Sequence, residues 1–455
     1  MTLTVMQFLL ILDSSILGVA LPAIQDALGL PSDQAAWVYN AYMLSYGGCL
    51  LIGGRLADLT GPVRMLRIGM VLFAAASLAG GVAPGSGTLV SARAVQGIAA
   101  ALVAPAVIAV LTDLFPDGDA EAKSRRNRAF GSIGAVSAVG GSAGFFLGGA
   151  LTGLWGWRSV FLFNVPVALA LALACWRIPA TERRTGGLRT LPWFEATALT
   201  TAVTVAVYVL LTIGTAQFYS WHTLALAGLA IVLVVAARRF RSGEPLIPPG
   251  LLSDRGIRSA DLVCLLVNVV SGPTILVVSL YMQRVLAYSP MEAGLAIVAI
   301  TMAITASSLL ASRLIGRLGL RRMTMTGLIV WACGLLWLSR IDLGSYVMEI
   351  LGPTLVIGFG SGLVFVAFTV TATVGAPAGE TGAAGGLMNT SQQIGASVGA
   401  AVVVAIAEAV SRRADGSWET VLTSGYSNAL LVLLIPLAGA AMAARGMPAG
   451  QGGIR

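Results

Sequence analysis

The segment GGRLADLTGPVRMLRIG, residues 53–69, places four charged residues and a Gly-Pro pair between two long apolar stretches. The chain of 455 residues is 57% hydrophobic and only 11% charged, with a mean hydropathy of +0.87. A soluble domain carries about 25% charged residues, and several apolar stretches here exceed the roughly 18 residues that cross a bilayer. We therefore predict an all-α polytopic membrane protein in which residues 53–69 form a short polar turn between two spans.

The apolar stretches predict fourteen membrane-spanning helices. They cover about residues 5–24, 37–57, 65–84, 88–114, 129–152, 157–176, 191–213, 221–239, 259–283, 291–312, 323–339, 346–369, 386–408 and 424–444. Most of these stretches approach or exceed the roughly 20 residues of a spanning helix. They are called helices 1 to 14 in the rest of this subsection.

The basic residues indicate the orientation, because cytoplasmic turns carry an excess of Lys and Arg. With both termini in the cytoplasm, 22 of the 28 basic residues lie in cytoplasmic segments and five in outer turns. One lysine against 27 arginines is typical of a high-GC bacterial genome. The predicted location is therefore the inner (plasma) membrane of a bacterium, with multiple passes and both termini inside.

An internal repeat divides the chain. Residues 54–61 (GRLADLTG) align with residues 312–319 (SRLIGRLG), and Arg64 falls opposite Arg322. Both stretches connect the second and third helices of a set of six. The predicted domains are a six-helix bundle over 1–190, an inserted pair of helices over 191–240 and a second six-helix bundle over 241–455. Two related bundles around a site at the midplane are typical of transporters.

Several ordered motifs resemble those of the major facilitator superfamily, specifically the fourteen-helix EmrB/QacA-type drug:proton antiporters. The segment at 53–69 resembles that superfamily's signature between helices 2 and 3. LDSSILGVALPAIQ (12–25), SARAVQGIAAAL (91–102) and GWRSVFLFNVP (156–166) resemble its motifs of helices 1, 4 and 6. YSPMEAGLAIV and GGLMNTSQQIGASVGAA are similar to helices 10 and 13 of the fourteen-helix subfamily.

The chain also departs from these patterns. The helix 5 antiporter signature, G-P-x-x-G-G, is present through Gly144, Gly148 and Gly149, but its proline is replaced by Phe145. That signature is associated with antiport, so the resemblance leaves the direction of coupling open. In the turn at 53–69, Leu59 replaces the usual basic residue and a Pro-Val pair replaces part of the usual basic pair.

Two charges lie deep in predicted spans, Asp13 in helix 1 and Arg93 in helix 4. An arginine at the centre of a spanning helix costs about 2.5–3.5 kcal/mol on insertion scales, so we expect the two to pair, directly or through water. Gln96 lies three residues from Arg93 on the same helical face and can complete the network. The predicted role is proton or substrate coupling; the alternatives are a structural ion pair and a packing hydrogen bond.

The turn at 53–69 is predicted to act as a gate. Its gating residues are Gly54, Asp58, Gly61 and Arg64, and Asp58 can meet Arg55, Arg64 or the N-terminus of a neighbouring helix, where a carboxylate is favoured. The repeat has Gly316 where Asp58 stands. We therefore expect a one-sided interaction, with the acid supplied by the first half, that stabilises the outward-open state.

Polar and aromatic side chains of other spans could line a cavity. The candidates are Tyr42, Asn268, Asn389, Gln392 and Gln393. Hydrogen bonding between helices and ordinary packing are the alternatives. The acids of the second half, including Asp261, are predicted to be interfacial rather than substrate-binding, which argues against dication substrates.

The leading prediction is a secondary active exporter of lipophilic, monocationic or neutral drugs or metabolites, coupled to protons by antiport through alternating access. A non-exporting carrier, importing or equilibrating a small solute, is the alternative that the missing proline supports. A membrane-embedded enzyme or sensor is disfavoured because no catalytic cluster of His, Cys or acids lies at depth. We expect a monomer in the lipid bilayer, with no cofactor, no metal and no nucleic-acid partner, since the net charge of +8 lies mainly in the turns.

Overall fold

The computed structural model describes residues 1–115, 120–178, 191–211, 220–240, 245–286, 288, 290–340, 346–377, 379–411 and 418–449. The predicted domain boundaries fall at residues 190 and 240. Both lie at the edge of a range that the structure does not describe, so they stay predictions.

The described chain is helical throughout. In order, the helices are α1 (Thr2–Leu28), α2 (Ser32–Thr60), α3 (Pro62–Gly81), α4 (Ser86–Leu114), α5 (Ala120–Trp155), α6 (Arg158–Ala174), α7 (Trp193–Leu211), α8 (Trp221–Arg239), the short α9 (Pro249–Ser253), α10 (Arg255–Arg284), α11 (Pro290–Leu318), α12 (Leu320–Leu338), α13 (Gly352–Val374), α14 (Thr381–Ser411), α15 (Trp418–Val432) and α16 (Leu434–Ala444). A turn of π-helix, Val347–Leu351, leads into α13.

Nine helices of the described residues are long and apolar enough to cross a membrane, or ten if the bent helix α5 counts as one span. Helices are also present at the other predicted positions, but α2 and α14 are rich in glycine and polar residues. The protein is therefore a multi-pass helical membrane protein. The count of fourteen spans stays a prediction.

The internal repeat is visible in the backbone. Gly61 ends α2 and precedes α3 with φ 96°, and Gly319 stands between α11 and α12 with φ 75°. Positive φ values are strained for residues with a Cβ atom, so glycine at both positions allows the same sharp turn. We call α1–α6 the first bundle and α10–α16 the second bundle.

The two bundles repeat the same helix contacts. Helix α1 packs on α5 and α2 on α4 in the first bundle; α10 packs on α14 and α11 on α13 in the second. The α1–α5 contact is close at Gly144 and Gly148, where an added Cβ would lie 3.0 Å from the Leu12 and Ile16 carbonyl oxygens, respectively. The α10–α14 contact is close at Gly395 and Gly399 in the same way. Small residues permit this approach because lipid supplies no hydrophobic drive for helix association.

The bundles meet through α2 with α14 and through α5 with α11. The inserted helix α7 packs on both α2 and α14 and so covers one seam between the bundles. Its Thr204 hydroxyl lies 2.0 Å from where a Cβ of Gly48 would be, and Tyr208 stacks on Trp37 with 6.2 Å between ring centroids. Gly48 is therefore required for α7 to lie this close.

Gly144→Ala is expected to destabilise the protein, because the new Cβ would lie 2.5 Å from the Ser15 Cβ. Overpacking of this kind costs about 1–3 kcal/mol. Gly149→Ala is the matched control: it has nothing within 4 Å of the added Cβ and gains up to about 1 kcal/mol of helix propensity. Titration of the purified protein with SDS measures both. Equal stabilities would contradict the assigned α1–α5 contact.

Candidate functional site

Asp13 of α1 and Arg93 of α4 form the predicted pair. Arg93 Nη1 lies 2.7 Å from Asp13 Oδ2, and both side chains are fully buried. The other carboxylate oxygen, Oδ1, accepts a hydrogen bond of 2.6 Å from the Asn164 amide of α6. Both oxygens of Asp13 are thus engaged inside the first bundle.

The Arg93 guanidinium is held by further groups of α2 and α4. Its Nε donates to the Val38 carbonyl at 3.3 Å, and its Nη1 also donates to Gln96 Oε1 at 2.9 Å. The guanidinium carbon lies 4.3 Å from the centre of the Tyr42 ring, a cation–π contact. Gln96 therefore joins the network as predicted.

Gln96 carries the network on to α3. Its Nε2 donates to the Ser77 hydroxyl at 2.8 Å, and Ser77 donates to the Phe73 carbonyl at 2.7 Å. Asn164, Gln96 and Ser77 are all buried. The cluster is a continuous polar network at the centre of an otherwise apolar bundle.

Asn164 and Ser77 are the members that sequence reasoning missed. Asn164 stands inside the helix 6 motif, where a mid-span amide was a usable signal. Ser77 gave no such signal, because serine is common in spanning helices and its partner lies 19 residues away.

Among the described residues, no group of three or more His, Cys, Asp or Glu side chains could hold a metal ion.

The Asp58 carboxylate meets the N-terminus of a helix of the other bundle. The Gly382 N–H donates to Oδ1 at 2.8 Å and the Ala383 N–H to Oδ2 at 2.7 Å, in the first turn of α14. An acid here satisfies amides that the helix leaves unpaired and interacts favourably with the helix dipole. Of the three partners considered from the sequence, the structure thus places the helix N-terminus against Asp58. We call this contact the Asp58 cap.

Glycines bring the two backbones together beside the Asp58 cap. A Cβ on Gly54 would lie 2.3 Å from the Gly382 carbonyl oxygen, so α2 and α14 touch main chain to main chain. Arg64 is exposed one turn into α3, and an added Cβ at Gly316, the repeat position of Asp58, would meet open space.

The cavity candidates occupy different environments. Tyr42 is buried beneath Arg93 and stacks on Tyr46 at 5.9 Å between centroids. Asn268 and Asn389 each donate to a carbonyl four residues earlier in their own helix, at 2.7 and 2.8 Å. Gln392 and Gln393 are half-buried, and the Gln393 amide contacts the Met43 sulfur of α2 at 3.5 Å, across the two bundles.

Asp261 is buried inside the protein, with 9% of its surface exposed, and its position relative to the membrane interface stays a prediction. Helix α10 begins at Arg255, four residues before the predicted start, which places Asp261 two turns inside the helix.

The all-helical fold with an internal repeat and a buried ion pair defines a transporter-type membrane protein rather than an enzyme. The chain belongs to the Major Facilitator Superfamily, whose sequence profile matches residues 3–400. It is 35% identical over 395 residues to the puromycin resistance protein pur8 of Streptomyces alboniger, covering 86% of this chain and 77% of that one.

Two further relatives carry export or resistance names. The cephamycin export protein CmcT of Amycolatopsis lactamdurans is 36% identical, covering 85% of this chain and 80% of its own. The multidrug resistance protein Stp of Mycobacterium tuberculosis is 32% identical, covering 85% and 71%. The crystal structure of the human organic anion transporter MFSD10 matches with a TM-score of 0.66, 14% identity and coverage of 96% and 99%, a likeness of fold alone.

Arg93→Met is expected to lower the free energy of unfolding by about 3–5 kcal/mol, because Asp13 then lies buried without its cation. The double replacement Asp13→Asn with Arg93→Met should cost less than the sum of the single changes, since the two groups are in contact. Arg128→Met, at an exposed position of α5, is the control and should change stability by less than about 0.5 kcal/mol. Unfolding in SDS measures the stability of Arg93→Met, Asp13→Asn, the double variant and Arg128→Met. If the effects of the two single changes simply add in the double variant, the result would count against the ion pair.

Proposed function

We propose that this protein is a secondary active exporter of lipophilic compounds, monocationic or neutral, in exchange for protons. The observation that carries the proposal is the fully buried Asp13–Arg93 pair, because ionisable residues within a membrane span mark ion or substrate pathways. Relatives named for antibiotic export and multidrug resistance support the direction of transport.

An ion gradient is the proposed energy source, since the sequence has no nucleotide-binding motif. One charge crossing 100 mV supplies about 2.3 kcal/mol. Asp13 is the proposed proton-binding group, and Arg93 and Gln96 respond to its charge. A neutral Asp13 loses the Coulomb attraction of Arg93, which frees the guanidinium to move relative to α1. The buried arginine and the scarcity of deep acids favour monocationic or neutral substrates over dications.

The proposed conformation is outward-facing. The Asp58 cap and the Gly54–Gly382 contact join the bundles at one end, and the Thr305 hydroxyl donates to the Ala135 carbonyl at 3.2 Å between α11 and α5. The excess of basic residues assigns this end to the cytoplasm. Alternating access then requires these contacts to break as the bundles rock. Fourteen spans, cytoplasmic termini, a bacterial inner membrane and a monomer belong to the same proposal.

Asp13→Asn is expected to reduce proton-coupled efflux to the level of vesicles without the protein, while the protein stays folded. The amide keeps a hydrogen-bond acceptor for Arg93, and Gln96, the Val38 carbonyl and the Tyr42 ring still hold the guanidinium. Everted vesicles under an imposed pH gradient, tested with a panel of dyes and antibiotics, measure the effect. Asp26→Asn, which changes an exposed carboxylate near the C-terminal end of α1, is the matched control.

Normal coupled efflux by Asp13→Asn would refute the assignment of Asp13. The direction of flux in the same vesicles separates export from the alternative, a carrier that imports or equilibrates a small solute. Phe145 in place of the helix 5 proline is the feature that favours that alternative.

Asp58→Asn is expected to slow transport without abolishing substrate binding. Removal of the charge weakens the Asp58 cap by about 1–2 kcal/mol. This changes the equilibrium between the states in which the Asp58 end is closed and open by a factor of about 5–30. Asp254→Asn is the matched control: its carboxylate accepts from the Ile257 N–H at 2.8 Å and caps α10 within one bundle. Transport rates and substrate binding to purified protein are compared. Loss of binding in Asp58→Asn would place Asp58 in the substrate site instead of the gate.

A further inference from the structure

Asp261 is a buried acid that the proposed exchange at Asp13 does not use. It stands about 9 Å along α10 from Arg255, at the rise of a helix, on the face packed against α14. Ile257, one turn before Asp261, packs with Ala383 and Ala384 of α14. Cys264, one turn after Asp261, donates a hydrogen bond from its thiol to the Met388 carbonyl at 3.6 Å. Asp261 therefore lies between the two helices.

The carboxyl group of Asp261 has no cation to balance it among the described residues. Its Oδ1 atom is buried and makes no hydrogen bond within them. A buried carboxylate without a cation is strongly disfavoured relative to the neutral acid, because the low-dielectric surroundings do not solvate its charge. Burial therefore favours the neutral acid over the carboxylate in this conformation.

Other ionisable groups surround this end of α10 without neutralising Asp261. The arginines of α10 and α16 at this end are exposed and form no ion pair with it among the described residues; they are Arg255, Arg258 and Arg445. Three acids lie near this end of α10. They are Asp254 at the start of α10, Glu380 just before α14, and Asp58 of α2, which contacts the first turn of α14. Helices α9 and α13 carry no charged residue.

A line of polar groups leads from Asp261 towards the middle of the membrane. Cys264 and Asn268 follow at helical spacing on the same face, and the Asn268 amide donates to the Cys264 carbonyl at 2.7 Å. This line is about 10 Å long at the rise of a helix. It ends beside α14, where Asn268 lies against Gly395.

Asp261 lies beside the same helix end that the Asp58 cap holds. The first two turns of α14 pack on α10 on one side, and on α2 and α4 on the other, where Gly385 contacts Pro105 and Ile108. If the bundles separate at this end, α2 and α4 leave α14, and water reaches the first turns of α14 beside Asp261.

We propose that Asp261 is a second proton-binding carboxyl, in the second bundle, that is neutral while the Asp58 end is closed and releases its proton when that end opens. This inference rests on the proposed proton exchange and adds an exit position for the proton on the side of Asp58. The proton moves from the carboxyl oxygen to water and leaves a carboxylate, so no co-reactant is required.

The test is infrared spectroscopy of the full-length protein in lipid nanodiscs at neutral pH, without substrate or gradient. The C=O stretching band of a neutral carboxylic acid is expected in the wild type, to be lost in Asp261→Asn and to persist in Asp26→Asn. Asn resembles the neutral acid in size and charge, so folding should be retained. Asp261→Glu supplies a second variant, in which the band should shift instead of vanish.

The link between Asp261 and the Asp58 cap is tested with the Asp58→Asn variant. This variant should reduce the carboxylic acid band of Asp261 at the same pH, whereas Asp254→Asn should leave that band unchanged. The proposal would be overturned if the difference spectrum between the wild type and Asp261→Asn contained only carboxylate bands. It would also be overturned if the carboxylic acid band of Asp261 did not change in Asp58→Asn. Because these spectra need no transport, they stand even if the wild type proves not to exchange protons for substrate.

Discussion

A charge inside a membrane-spanning bundle must be paired, because hydrocarbon cannot solvate it, and the first bundle is organised around that requirement. Arg93 cannot be accommodated by Asp13 alone, so the polar network extends over α1, α2, α3, α4 and α6. The remaining helix, α5, packs through glycine on either side of Asp13. The Asp13 network therefore connects five helices of the bundle through polar contacts, and close packing adds the sixth.

The contact between the bundles follows a different principle. Lipid gives no hydrophobic drive for helix association, so backbones approach through glycine and the remaining attraction is polar. At the Asp58 end one carboxylate accepts two main-chain hydrogen bonds from a helix 324 residues away. The repeat has Gly316 at the position that matches Asp58, so it offers no carboxylate there.

The sequence was most informative where chemistry left few choices. Asp13 and Arg93 were predicted to pair because they are the opposite charges placed deep in spans, and the structure has them 2.7 Å apart. Asn164 was missed because an amide in a span has many potential partners. The start of α10 was predicted four residues too late because helix ends in a membrane protein are hard to locate from hydropathy: its polar first turn continues the helix beyond the apolar stretch.

By itself, the sequence determined a multi-pass helical membrane protein with an internal repeat and a buried ion pair, because hydropathy, charge placement and residue spacing are local properties. Only the tertiary structure decided that the N-terminus of α14 meets Asp58, that Asn164 and Ser77 complete the Asp13 network, and that α14 packs beside Asp261. These outcomes depend on which helices become neighbours and at what rotation. Contacts between segments far apart in the chain leave no periodic signal in either segment alone.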